Sequence, residues 1–101
     1  MKFDKLVRDK IPRIIQSNGE KTVIHIADDK EYWERLKEKL LEEVKEFSKN
    51  SNEEELVDVL EVIEGVCESK KFDKEEIEKI KKEKAEKRGK FKERIILEEV
   101  I

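Results

Sequence analysis

Apolar residues along the chain fall into helical registers separated by short polar breaks. Trp33, Leu36, Leu40, Val44 and Phe47 recur every three or four residues, the spacing of a single helical stripe. Asp28 precedes them with Glu31 three positions on, a capping box that predicts a helix from 28 to about 49. The polar stretch SKNSN breaks the pattern, and Ser51 with Glu54 repeats the capping signature for a second long helix over about 52–69. Its apolar arc is broader, because Leu56, Val57, Val59, Leu60, Val62, Ile63, Val66 and Cys67 leave only a narrow polar face. Asp73 with Glu76 opens a third long helix, which ends before Gly89.

Shorter signals fill the remainder. Pro12 at a helix-opening position and Asn18-Gly19 at its close predict a helix over about 11–18. KTVIHIA alternates β-branched and polar residues and predicts a strand at 21–27, with the run RIIL near the C-terminus as its pairing partner. The expected architecture is mainly α: an antiparallel helical hairpin or bundle, one domain over residues 1–101, with room for a small two-stranded β element.

Helical angles then separate ordinary acids from unusual ones. Glu55 projects between Val62 and Val66, inside the apolar arc, and Asp58 sits at its edge. On the preceding helix Glu43 lies at the margin of the stripe between Tyr32 and Leu36, Glu46 lies beside it, and Glu42 points further out. An ionised carboxylate aimed into packing is costly unless a cation meets it. A tight turn makes the two helices antiparallel neighbours, so Glu43 and Glu46 can face Glu55 and Asp58 across the hairpin. With no histidine or thiolate among them the set is all oxygen, which suits Mg²⁺ or Mn²⁺ better than zinc. The competing reading is a solvated face on which Glu42, Glu43 and Glu46 pair with Lys39 and Lys45.

Composition strengthens that competitor. With 21 glutamates in 101 residues, Glu-Glu-x-x-Glu arises about once by chance, so LEEVKEF identifies nothing by itself. The 24 basic and 27 acidic residues are interspersed, which excludes a polybasic surface for a nucleic-acid polymer. No apolar run reaches the roughly 20 residues of a membrane span, and MKFDKLVRDK lacks a secretory h-region. A soluble, cytoplasmic protein without membrane contact is expected. Cys67, the single cysteine, reads as a buried inert thiol, and His25, the single histidine, as a plain strand residue.

EEVKE followed by ELVD resembles the two acidic halves of the MazG-like nucleoside triphosphate pyrophosphohydrolases, all-α enzymes related to phosphoribosyl-ATP pyrophosphohydrolase and dimeric dUTPases. KLVRDKIPRII looks like the opening of a small subgroup of that family, and YWERLKEKLLEEVKEF, EELVDVLEVIEGV and KAEKRGKF continue the resemblance in order along nearly the whole chain. Two departures stand out. Only eight residues separate Glu46 from Glu55, and RGKF carries Lys90 where the subgroup typically has a second glycine.

The resemblance implies Mg²⁺-dependent cleavage of the α–β phosphoanhydride of a nucleotide, giving monophosphate and pyrophosphate. It makes Glu43, Glu46, Glu55 and Asp58 metal ligands and gives Glu42 the task of orienting or deprotonating the water, or of holding a further ion. Arg8, Lys10, Lys84, Lys87 and Arg88 are the candidates to meet the phosphates. The breadth of the second helix's apolar arc, together with the family's habit of pairing protomers, predicts a homodimer or a dimer of dimers. Phosphoribosyl-ATP hydrolysis in histidine biosynthesis and a non-catalytic helical interaction module are the alternatives. Tyr32 and Trp33 either stack on a base or belong to the core.

Overall fold

The computed structural model describes residues 3–101, and these form four α-helices: α1 (Ile11–Ser17), α2 (Asp29–Lys49), α3 (Glu53–Lys70) and α4 (Lys74–Arg88). The mainly α class holds. The chain divides after Lys71 into two compact units.

In the first unit α2 packs on α3 as an antiparallel hairpin closed by residues 50–52. The pairing of ends shows the direction. Lys70, at the end of α3, places its ammonium 4.0 Å from the centroid of Trp33 near the start of α2, while Glu43 late in α2 meets Glu55 and Asp58 early in α3. Leu36 is the buried core residue among those described, at 2% exposure. A Cβ built on Gly65 of α3 would lie 2.9 Å from Leu36 Cδ2 and 3.4 Å from the Tyr32 hydroxyl. Glycine at this point is what lets the two helices approach closely enough to seat Leu36.

Two faces of α3 have different fates. Glu55, Val59, Val62 and Val66 recur at helical spacing and are half-buried, which places them on the side toward α2. Leu56, Val57, Leu60 and Ile63 remain 42–53% exposed.

The helix ends refine the expected caps. Asp28 accepts the Glu31 amide at 2.9 Å and opens α2 as the capping box predicts. For α3 the cap is Asn52, whose side-chain oxygen accepts the Glu55 amide at 2.9 Å. Ser51, expected in that role, instead donates its hydroxyl to the Phe47 carbonyl at 2.9 Å. It thus satisfies an acceptor that the last turn of α2 would leave open, while the equally good capping residue next to it starts α3. Lys71 ends α3 in the left-handed region, φ 57°, with its amide on the Cys67 and Glu68 carbonyls. Cys67 itself is half-buried rather than enclosed.

In the second unit Asp73 caps α4 by accepting the Glu75 amide at 2.9 Å, and Gly89 closes it at φ 82°. The expected two-stranded element does not form: among the described residues there is no strand. Among the described residues, 21–27 and 95–101 make no backbone–backbone hydrogen bonds, and Val23, Ile26, Ile95, Ile96 and Leu97 are exposed. Alternation signals a fit to a pleated, half-covered surface, and among the described residues neither segment has a ladder partner. His25, on the first of them, turns its ring Nε2 to Glu31 at 2.9 Å. None of the described helices is long and apolar enough to cross a membrane.

Candidate metal centre

The turn of the hairpin sets the site. α3 starts directly after the Asn52 cap, which fixes Glu55 one turn in and Asp58 one turn further, both approaching the end of α2. One carboxylate oxygen from each of Glu43, Glu55 and Asp58 lies within 4.8 Å of the others. Three of the four expected ligands therefore converge. Glu46 stands outside this group, yet its charge acts on Glu55.

The cations around the three acids are unevenly shared. Arg8 donates from Nη2 to Asp58 Oδ1 at 2.8 Å. Lys39 Nζ lies 3.5 Å from Glu43 Oε1 and 3.6 Å from Glu42 Oε2, which realises part of the pairing that competes with a metal. Glu43 keeps only 13% of its side chain exposed. Glu55 has no ion pair among the described residues. Partial desolvation first, then the negative charges of Asp58, Glu46, Glu43 and Glu54, push its carboxyl above the usual range. Such a group is the costly member of the cluster, because burial and like charges both oppose its ionised form.

Glu42 is in the opposite condition. Lys5 donates to it at 3.0 Å, and this hydrogen bond, with the charge of Lys39, holds its carboxyl below the usual range although partial burial pushes the other way. A carboxylate so held is a weaker base than a free one.

Lys5 and Arg8 belong to an N-terminal arm that lies across the hairpin, also tied down by Arg35, which donates to the Asp4 carbonyl at 2.9 Å and its carboxylate at 3.1 Å. The arm's ion pairs with Glu42 and Asp58 were not legible beforehand. Arg8 was expected near an anion, but Lys5 carried no signal beyond its charge, since residues before α1 follow no period that fixes where a side chain points. Lys10 forms the N-terminal boundary of α1. Lys84, Lys87 and Arg88 lie on α4, in the second unit, so the hairpin's geometry does not include them.

Beside Asp58 a concavity of about 380 Å³ is lined by Glu53, Glu54, Val57 and Asp58. Trp33 sits ten residues before Glu43, about 15 Å along the helix axis, and its ring carries Lys70 at 4.0 Å and Lys37 at 5.4 Å from the centroid.

Comparison with known proteins adds little chemistry. The chain is 50% identical over 43 residues to an uncharacterized protein of Mycolicibacterium smegmatis, a match covering 43% of this chain and 44% of that relative. The match thus spans less than half of either protein. No family model matches the chain, and no solved structure matches it.

Proposed function

We propose that the chain is a MazG-like, Mg²⁺-dependent nucleotide pyrophosphohydrolase that cleaves a nucleoside triphosphate between its α and β phosphates. The observation that carries this reading is the convergence of Glu43, Glu55 and Asp58 within 4.8 Å, with Glu55 in no ion pair among the described residues. The ordered motifs from KLVRDKIPRII to KAEKRGKF support the same reading.

Three oxygen donors from two facing helices fit a hard divalent cation. Glu43, Glu55 and Asp58 would hold it, with Glu46 as the fourth carboxylate. Bound there, Mg²⁺ or Mn²⁺ supplies neutralisation of phosphate charge and a more acidic water. Arg8 stands ready beside the cluster, and its planar fork matches two phosphate oxygens as well as it matches Asp58. Lys5 plays the same part for Glu42: a phosphate that draws Lys5 away leaves Glu42 a stronger base, able to orient the water and take its proton. Lys10, Lys84, Lys87 and Arg88 are the further phosphate contacts in this reading. The enzyme would act in the cytoplasm as a homodimer or dimer of dimers.

The test is pyrophosphate release from a panel of nucleoside triphosphates and phosphoribosyl-ATP, in Mg²⁺ and in EDTA, beside melting curves under both conditions. Metal-dependent release and a higher Tm with metal are expected, because a cation bound only by the native state stabilises it. No release from any member, together with identical melting curves, would sink the proposal.

A further inference from the structure

Arg35 of α2 is gripped on several sides. Its Nη1 donates to the Asp4 carbonyl at 2.9 Å and its Nη2 to Asp4 Oδ1 at 3.1 Å, while Glu31 Oε2 lies 3.5 Å from Nε and Glu38 Oε2 lies 3.4 Å from Nη1. The two glutamates fix the guanidinium from its own helix, and only 24% of the side chain is exposed. What it holds is a strained residue. Asp4 sits at φ 42°, in the left-handed region, where a side chain crowds the backbone and aspartate is one of the few residues besides glycine that settle. The two hydrogen bonds into one planar fork offset that cost and set the direction in which the arm leaves. The holds further along the arm are weaker. Lys5–Glu42 and Arg8–Asp58 join side chains that are 37% to 54% exposed, and ion pairs in such solvated positions contribute little. The arm is thus fixed at Asp4 and free to exchange partners at Lys5 and Arg8.

We infer that Arg35 is a positioning residue: through Asp4 it keeps the N-terminal arm on α2, and so keeps Arg8 close enough to the acids to pass from Asp58 to a phosphate of the substrate. The inference rests on the pyrophosphohydrolase reading and adds to it the part that delivers the phosphate-binding charge. Arg8 and a bound cation draw on the same carboxylate, since Asp58 is one of the three converging acids. Arg8 therefore leaves Asp58 where the site is filled. On a tethered arm its guanidinium stays at high effective concentration over the cluster, whereas on an untethered one it diffuses away. Losing the anchor has opposite effects on the two ligands. Nucleotide binding weakens, because Arg8 no longer waits beside the cluster, and metal binding tightens, because Arg8 no longer competes for Asp58. Damage to the hairpin would weaken both.

The experiment uses the full chain with Arg35→Gln, Asp4→Ala and the double variant. A nitroxide attached at the exposed position 7, as Val7→Cys in a Cys67→Ser background, reports on the arm without reference to activity. Its EPR spectrum should show an immobilised label in the parent, remain so in Arg8→Gln, and sharpen to that of a free coil in Arg35→Gln. In pyrophosphate release with Mn²⁺ and the best nucleoside triphosphate of the panel, Arg35→Gln should raise KM by about 10-fold or more and leave kcat within about threefold. Direct titration should find Mn²⁺ bound about twofold tighter or more. Asp4→Ala should reproduce both shifts, and the double variant should be no worse than either single one, since both break the same link. A label as immobile in Arg35→Gln as in the parent overturns the inference, as does a mobile label with an unchanged KM, or an Mn²⁺ affinity that falls together with nucleotide affinity. A wild-type chain that binds no Mn²⁺ and turns over no nucleotide defeats the pyrophosphohydrolase reading and the inference with it, even where the label shows that Arg35 anchors the arm.

Discussion

The two ends of the α2–α3 hairpin are built to different purposes. At the Leu36 end the helices close on a glycine, an apolar side chain at 2% exposure fills the approach, and the Trp33 ring carries Lys70 at 4.0 Å. At the turn end three carboxylates share a 4.8 Å neighbourhood, and among the described residues Glu55 has no ion pair. The first end lowers the free energy of the fold, whereas the second raises it. Stability and site are separated along α2 by about 10 Å, the rise of the seven residues from Leu36 to Glu43, so mutations should divide them.

Glu55→Gln should give the largest effect, at the turn end. The variant should stay folded and lose the proposed pyrophosphohydrolase activity by about 100-fold or more, since it removes the charge of a proposed ligand while keeping the shape. Its stability should move the other way. Glu55 binds its proton more tightly in the folded chain than in the unfolded one, so it opposes metal-free folding above its raised pKa, and that penalty disappears below its ordinary value of 4.5. Metal-free melting should therefore show a higher Tm than wild type near pH 7, with the gain vanishing toward about pH 3. Glu75→Gln on α4 is the control and should change neither quantity. Normal Mg²⁺-dependent turnover in Glu55→Gln would remove the turn end from the proposed chemistry.

Leu36→Ala breaks the other end. It should cost about 2–4 kcal/mol in urea unfolding, the range for truncating a buried leucine. Under conditions where the variant remains folded, its Mn²⁺ affinity should stay within about twofold of wild type, as distant sites with no shared partner behave independently. A parallel fall in stability and metal affinity would show that the two ends are coupled and that the comparison is too simple.

Much of the hairpin was legible because it is written in a single period. Trp33, Leu36 and Leu40 set one face of α2, Asp28 and Asp73 cap where expected, and the angle at Glu55 marked it as an acid on an apolar side, which its half-burial bears out. What escaped depends on partners distant in sequence. The strand expected at 21–27 does not form: alternation does not supply a neighbour, and among the described residues the backbone makes no ladder there. The choice of Asn52 over Ser51 turned on which of two adjacent capping residues was free once Phe47's carbonyl had taken the hydroxyl. Arg8 on Asp58 joins residues 50 positions apart, a pairing that no local pattern encodes.

That separation also bears on the order in which the molecule assembles. The hairpin closes through a connection of three residues, 50–52, and short closures form early, whereas the arm must bring Lys5 across 37 residues to Glu42 and Arg8 across 50 to Asp58. The arm should therefore dock after the folding transition state, onto a hairpin already in place. Its ion pairs then govern how fast the native state is lost rather than how fast it is reached. In stopped-flow measurements Arg8→Gln should raise the unfolding rate while leaving the refolding rate of the metal-free chain within about twofold of wild type. A refolding rate slowed by the full loss of stability would place the arm in the nucleus instead.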